Sequence, residues 1–155
     1  MHKVAVALVA SLGLAATLVG ISSAAGAPAS NAGSPFANGK KNFIIAAGVT
    51  RKDATFTFSA VQAEAAGWVV LYRIVDGIPQ GEHYAGATFV PAGQSRNVQV
   101  KADFTPAKGE HLVVMLHRDS NENKVFDFVF DDAGHVLDEA VKENNRMVAR
   151  IFPAP

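Results

Sequence analysis

Gly67-Trp68-Val69-Val70-Leu71-Tyr72-Arg73-Ile74-Val75 (residues 67–75) is the stretch whose reading decides the fold. In an extended chain successive side chains point to opposite faces. Trp68, Val70, Tyr72 and Ile74 then form one face, and Val69 and Leu71 the other. Both faces are apolar, the pattern of a strand in the middle of a sheet with cover on both sides. Gly67 bounds the run on one side and the turn signal Asp76-Gly77 on the other.

The same period recurs outward from this strand. Residues 54–61 alternate, with Phe56 and Phe58 opposite Thr55, Thr57 and Ser59. Residues 96–102 set Val98, Val100 and Ala102 against Asn97, Gln99 and Lys101. Residues 111–118 (HLVVMLHR) form a second two-sided strand. Residues 125–130 put Phe126, Phe128 and Phe130 on one face, and residues 146–152 do the same with Met147, Ala149 and Ile151. Residues 43–49 and 86–90 supply shorter strands. Turn residues separate them at Asp76-Gly77, Pro91-Ala92-Gly93, Pro106 to Gly109 and Ala133-Gly134. Seven or eight short strands punctuated this often predict an all-β sandwich. A Trp on a central strand is reminiscent of immunoglobulin-like cores. Residues 135–145 are ambiguous: Leu137 and Val141 suit a short helix with Asp138 pairing Lys142, and an extended loop suits them equally.

Composition narrows the class. A chain of 155 residues, 49% apolar and 18% charged, is enough for one globular domain with a real core. The formal net charge is zero, so no basic excess draws in nucleic acid or an anionic membrane surface. The absence of cysteine excludes disulfides, cysteine zinc sites, iron–sulfur ligation and thiol nucleophiles.

Residues 1–27 read as a signal peptide. Met1-His2-Lys3 precedes an apolar run from Val4 to Ile21, followed by small residues that fit a peptidase at Ala25 or Ala27. The alternative is an uncleaved anchor. Residues 28–42 read as a flexible linker, and residues 43–155 as the sandwich domain. Secreted, periplasmic or cell-surface location follows, with no membrane contact after cleavage.

The segment from Thr55 to Phe152 resembles a family known only as a domain of unknown function, found in exported and cell-surface proteins of archaea and bacteria. Gly67-Trp68-Val69-Val70-Leu71, Asp76-Gly77, Pro91-Ala92-Gly93, Asn97-Val98-Gln99-Val100, Met115-Leu116-His117-Arg118-Asp119 and Phe126-Asp127-Phe128 carry the resemblance, in that order. It implies an immunoglobulin-like sandwich outside the cytoplasm. It implies no activity and assigns no functional residue.

Three candidate sites emerge from the residues. Asp119, Asn121, Asn123 and Asp127 stand at positions 1, 3, 5 and 9 of a loop, with the Val125 carbonyl at position 7. Alternate oxygen donors of a tight loop can converge on one calcium ion. Lys124 replaces the usual glycine at position 6. Phe130 stands at position 12, so Asp131, Asp132 or Asp138 would have to supply the last ligand. The plain alternative is a polar turn.

The second candidate is histidine. His111, Met115 and His117 share one strand face, and His83 or His135 from a loop would complete a copper or zinc site. His111 and His117 lie about 20 Å apart along a strand, too far to share one metal. The third candidate is the stretch Asp76–Gly86, read as a long connector carrying Glu82, His83 and Tyr84 for recognition.

Hydrolytic chemistry has little support, since no catalytic elbow or phosphate loop is present and Ser59, Ser95 and Ser120 lack context. The expectation is an exported non-enzymatic binding or structural module. Its partner would be a protein, glycan or envelope component. A calcium-stabilised module is the alternative, and a hydrolase a distant one.

Overall fold

The computed structural model describes residues 36–37, 39–128 and 136–155. The expected signal peptide at residues 1–27, most of the expected linker, and Phe130, Asp131, Asp132 and His135 lie outside the described residues. The strands are β1 (Phe36–Ala37), β2 (Phe43–Ile44), β3 (Thr50–Lys52), β4 (Thr55–Ala63), β5 (Gly67–Val75), β6 (Ile78–Val90), β7 (Gly93–Lys101), β8 (His111–Arg118), β9 (Lys142–Glu143) and β10 (Arg146–Pro153). Among the described residues there is no helix.

Two sheets result. One has the order β1-β10-β8-β5-β6, with β9 also on β10. In the other, β2 and β3 lie along one side of β4 and β7 along the other. All pairings are antiparallel except that of β1 with β10. The chain changes sheet after β1, after β4, after β6 and after β7. This leaves β4 beside β7 in one sheet and β5 beside β8 in the other, the interlocked pairs of an immunoglobulin-like sandwich.

Alternation fixes what each strand buries. Phe56, Phe58, Val61, Val98 and Val100 from one sheet meet Val69, Leu71, Leu112, Val114, Leu116 and Phe152 from the other. The Phe152 ring stands edge-on to Phe56 and Phe58, with centroids 5.7 and 5.5 Å away. The inward face of β4 passes from Phe58 to Val61, an odd step. It lies opposite Asn97, whose φ of 51° marks the irregularity on β7. The clean alternation of residues 54–61 did not reveal that change.

The two-sided reading of β5 and β8 holds: Gly67 through Tyr72 and Leu112 through His117 are all buried. Trp68 is not part of the inter-sheet core, however. With Val70, Tyr72, Val113, Met115 and Ala149 it forms a second apolar cluster on the outer face of the β5–β8 sheet, joined by Phe89, Phe126 and Met147.

Three local expectations are corrected, and one that stood open is decided. The stretch Asp76–Gly86 is not a long connector. Asp76 and Gly77, at φ 52° and 78°, make a two-residue turn, as the twist of a hairpin prefers. β6 begins directly after it, with Gln80 to His83 bulging between the Ile74–Pro79 and Tyr72–Tyr84 pairs. Residues 125–128 are not a strand. Residues 43–49 give strand only at Phe43–Ile44. Residues 136–145 contain no helix; β9 and β10 form a hairpin through Asn144 and Asn145, at φ 51° and 60°. Asparagine tolerates that left-handed region, and two positive φ values in succession close such a turn.

The packing makes a contrast within one strand measurable. Phe152→Ala removes a ring buried against two others and is expected to cost about 3–5 kcal/mol. Ile151→Ala, at a side chain 51% exposed, is expected to change stability by less than about 0.5 kcal/mol. Chemical denaturation of the two variants checks the assignment of faces.

Candidate functional site

The end of β8 lies beside the β4–β5 connector, where the Asp119 N–H donates to the Ala66 carbonyl at 3.1 Å. The chain leaves β8 at Arg118 and folds residues 119–127 into a compact loop. The Lys124 N–H donates to Asp119 Oδ2 at 3.0 Å, the Asn123 N–H to Asn121 Oδ1 at 3.2 Å, and the Val125 N–H to Asn123 Oδ1 at 2.7 Å. These short polar side chains bond nearby backbone groups as they do in turns generally. The amide groups of Asn121 and Asn123 donate to Asp127 Oδ2 at 3.2 and 2.8 Å. The structure therefore brings Asp119, Asn121, Asn123 and Asp127 into one loop, while the Val125 side chain is exposed. Lys124, at φ 57°, takes the left-handed turn that glycine usually makes. Among the described residues, no group of three or more His, Cys, Asp and Glu side chains is arranged to hold a metal.

Asp138 fastens this loop to the sheet. It has no exposed surface. Its Oδ1 accepts the Ser120 N–H and its Oδ2 the Asp127 N–H, both at 2.9 Å. Each carboxylate oxygen thereby holds one backbone N–H of the loop. Its carbonyl lies 2.7 Å from His117 Nδ1. A carbonyl only accepts, so Nδ1 carries the proton, and Nε2 accepts the Tyr72 hydroxyl at 2.9 Å. Phe126 and Phe128 stand edge-on to the imidazole, each with its centroid 5.2 Å away. Burial pushes the His117 pKa down to about 4, because a charged ring would be desolvated there. Burial likewise raises the Tyr72 hydroxyl.

This arrangement decides the histidine candidate. Neither nitrogen of His117 is free for a metal. His111 and His83 are exposed, His111 being six residues away on the same strand. His117 and Asp119 do not bond each other, and the backbone of Ser120 serves Asp138. Ser59 lies exposed on β4 and Ser95 half-buried on β7.

A recess of about 650 Å³ opens at the same end, lined by Asn42, Glu64, Arg118, Glu139, Lys142 and Glu143 among others. Glu143 is a clip. Its carboxylate accepts the backbone N–H groups of Lys40, Lys41 and Asn42 and the Asn42 side-chain amide, at 2.8–3.1 Å. The end of the expected flexible linker is thus held to the sandwich. Desolvation pushes the Glu143 pKa up, but these hydrogen bonds, led by those from Asn42, leave it below its usual value. Lys41 pairs with Glu64 at 2.6 Å. Arg118, Glu139 and Lys142 make no ion pair among the described residues. A smaller apolar recess of about 370 Å³ lies on the outer face beside Tyr72, Met115, Phe128 and Met147.

Sequence reasoning had Asp138 only as a substitute ligand or a helix-face partner of Lys142, and passed over Glu143. No local signal marks either, because their partners lie far away in the chain.

A family described as a domain of unknown function, DUF7282, matches residues 44–152. No curated protein and no solved structure matches the chain.

The buried imidazole gives a pH signature. The unfolded chain takes up a proton near the ordinary pKa of 6.5 and the folded one only near 4. The unfolded state therefore binds more protons between those values. Stability is expected to be retained above pH 6.5 and lost on acidification toward pH 4, by about 1.4 kcal/mol per pH unit. Urea melts at stepped pH should show that slope in the wild type and lose it in His117→Gln.

Proposed function

The chain belongs to the DUF7282 family of domains of unknown function, and we propose that it is an exported, non-enzymatic binding or structural module acting through the connectors at the loop end of its sandwich. The observation that carries this reading is the recess in which Arg118, Glu139 and Lys142 make no ion pair among the described residues. Charged side chains on a concave surface retain donors and acceptors for a partner, and connectors held by a rigid scaffold are where sandwich folds carry recognition. Such a surface suits a polar partner: a glycan, a protein or an envelope component.

The leader at residues 1–27 supports export. A hydrolase would need a nucleophile beside an available base, and His117 offers no free nitrogen. Glu143 and Asp138 support a structural share in the role, since each pins a connector from beneath.

Purified wild-type protein and the double variant Arg118→Glu/Lys142→Glu can be compared for binding to isolated cell envelopes and to a glycan array. The wild type should bind, and the double charge reversal should weaken binding at least about tenfold, the equivalent of ~1.4 kcal/mol. Equal binding by the two proteins rules out the loop-end surface.

A further inference from the structure

We propose that residues 119–127 form a calcium site in which Asp119 supplies the first ligand. The inference is independent of the partner recess: it concerns an ion held within the loop.

The decisive observation is one oxygen. The Asp119 side chain is buried, with only 5% of the residue exposed. Its Oδ2 accepts the Lys124 N–H across the loop, so the carboxyl group faces the loop interior. Its Oδ1 is buried and has no hydrogen-bond partner among the described residues. An ionised carboxylate oxygen only accepts, and leaving one buried and unsatisfied is costly. The loop's own side-chain donors do not relieve it, because Asn121 and Asn123 turn their amide groups to Asp127. A hard cation would.

The remaining donors are of the right kind. Asn121, Asn123, Asp127 and the Val125 carbonyl offer oxygens at alternate positions of one turn. Asn121 and Asn123 already meet Asp127 through their amides. A cation would replace those NH₂ donors and draw on the amide oxygens. Lys124 already adopts the left-handed conformation required at position 6, so the missing glycine does not block the turn. Asp138 serves this site as a clamp, each of its oxygens holding one backbone N–H of the loop. With two carboxylates, the site belongs to the weak extracellular class, with Kd about 10⁻⁴–10⁻³ M.

The ion would be felt in the sheet. The loop runs into Phe126, whose ring lies 5.7 Å from Trp68, the chain's sole tryptophan. Trp68 therefore reports on the docking of this connector.

Purified protein stripped with EGTA should be titrated with calcium, and separately with magnesium, following thermal unfolding and tryptophan emission. Calcium should raise the melting temperature saturably, by mass action, and shift the emission with a midpoint of about 10⁻⁴–10⁻³ M. Magnesium should do so less. Asp119→Asn keeps an acceptor for the Lys124 N–H; it should melt no lower than wild type in EGTA and lose the calcium response. Lys124→Gly should lower the midpoint. If Asp119→Asn does not fold, Asp127→Asn is measured in the same way. A wild-type melting temperature indifferent to calcium overturns the site, as does an undiminished response in Asp119→Asn or, where that variant fails to fold, in Asp127→Asn. Neither result touches the recess at Arg118.

Discussion

Asp138 is an aspartate with no exposed surface, and the whole connector layer depends on how that charge is satisfied. Its two oxygens hold the Ser120 and Asp127 N–H groups, near the two ends of one loop. Hydrogen bonds to a charged group are worth about 1.5–3 kcal/mol each. Its carbonyl orients His117, and His117 in turn receives the Tyr72 hydroxyl. A single residue at φ 48° thus ties the 119–127 loop to both central strands of the larger sheet. The left-handed conformation costs on the order of 1 kcal/mol, which those bonds offset.

That tie explains why the outer face can be apolar. An antiparallel sheet commonly gives one face to the core and one to water. Here β5 and β8 bury both. Phe126 stands against Trp68, Tyr84 and His117, so the connector serves as a third layer. The buried imidazole stays neutral inside it. Glu143 does related work at the neighbouring edge, where one carboxylate gathers four N–H groups and fixes the chain before β2.

Much of this was legible beforehand. The double-sided runs at residues 67–75 and 111–118 marked the central strands, and Phe56 and Phe58 marked the inner face of β4. The loop at Asp119–Asp127 was visible from its alternate oxygen side chains. Other features were hidden. The Asp76–Gly86 stretch looked like a connector because Gly, Pro and charged residues dilute its pattern; pairing with β5 overrides that weak propensity. Residues 135–145 were open to a short helix or an extended loop, because the helical spacing of Leu137 and Val141 does not by itself decide between them. Their partners turned out to be β8 and β10, as the Val141 N–H bond to Leu116 shows. Glu143 read as an ordinary surface acid, since the amides it holds are about a hundred residues earlier in the chain.

The amino-acid order by itself determined the all-β class, the identity of the central strands and the positions of most turns. These follow from the period of side chains along one strand and from the few residues that accept a positive φ. Only the tertiary structure decided which apolar face lies between the sheets and which lies beneath a connector, and it placed Trp68 beneath the connector. It also decided that Asp138 would be a buried clamp, that His117 would be occupied, and that one oxygen of Asp119 would be left without a partner. Those outcomes depend on burial and on bonds between residues distant in the chain, and a linear pattern of polar and apolar residues encodes neither.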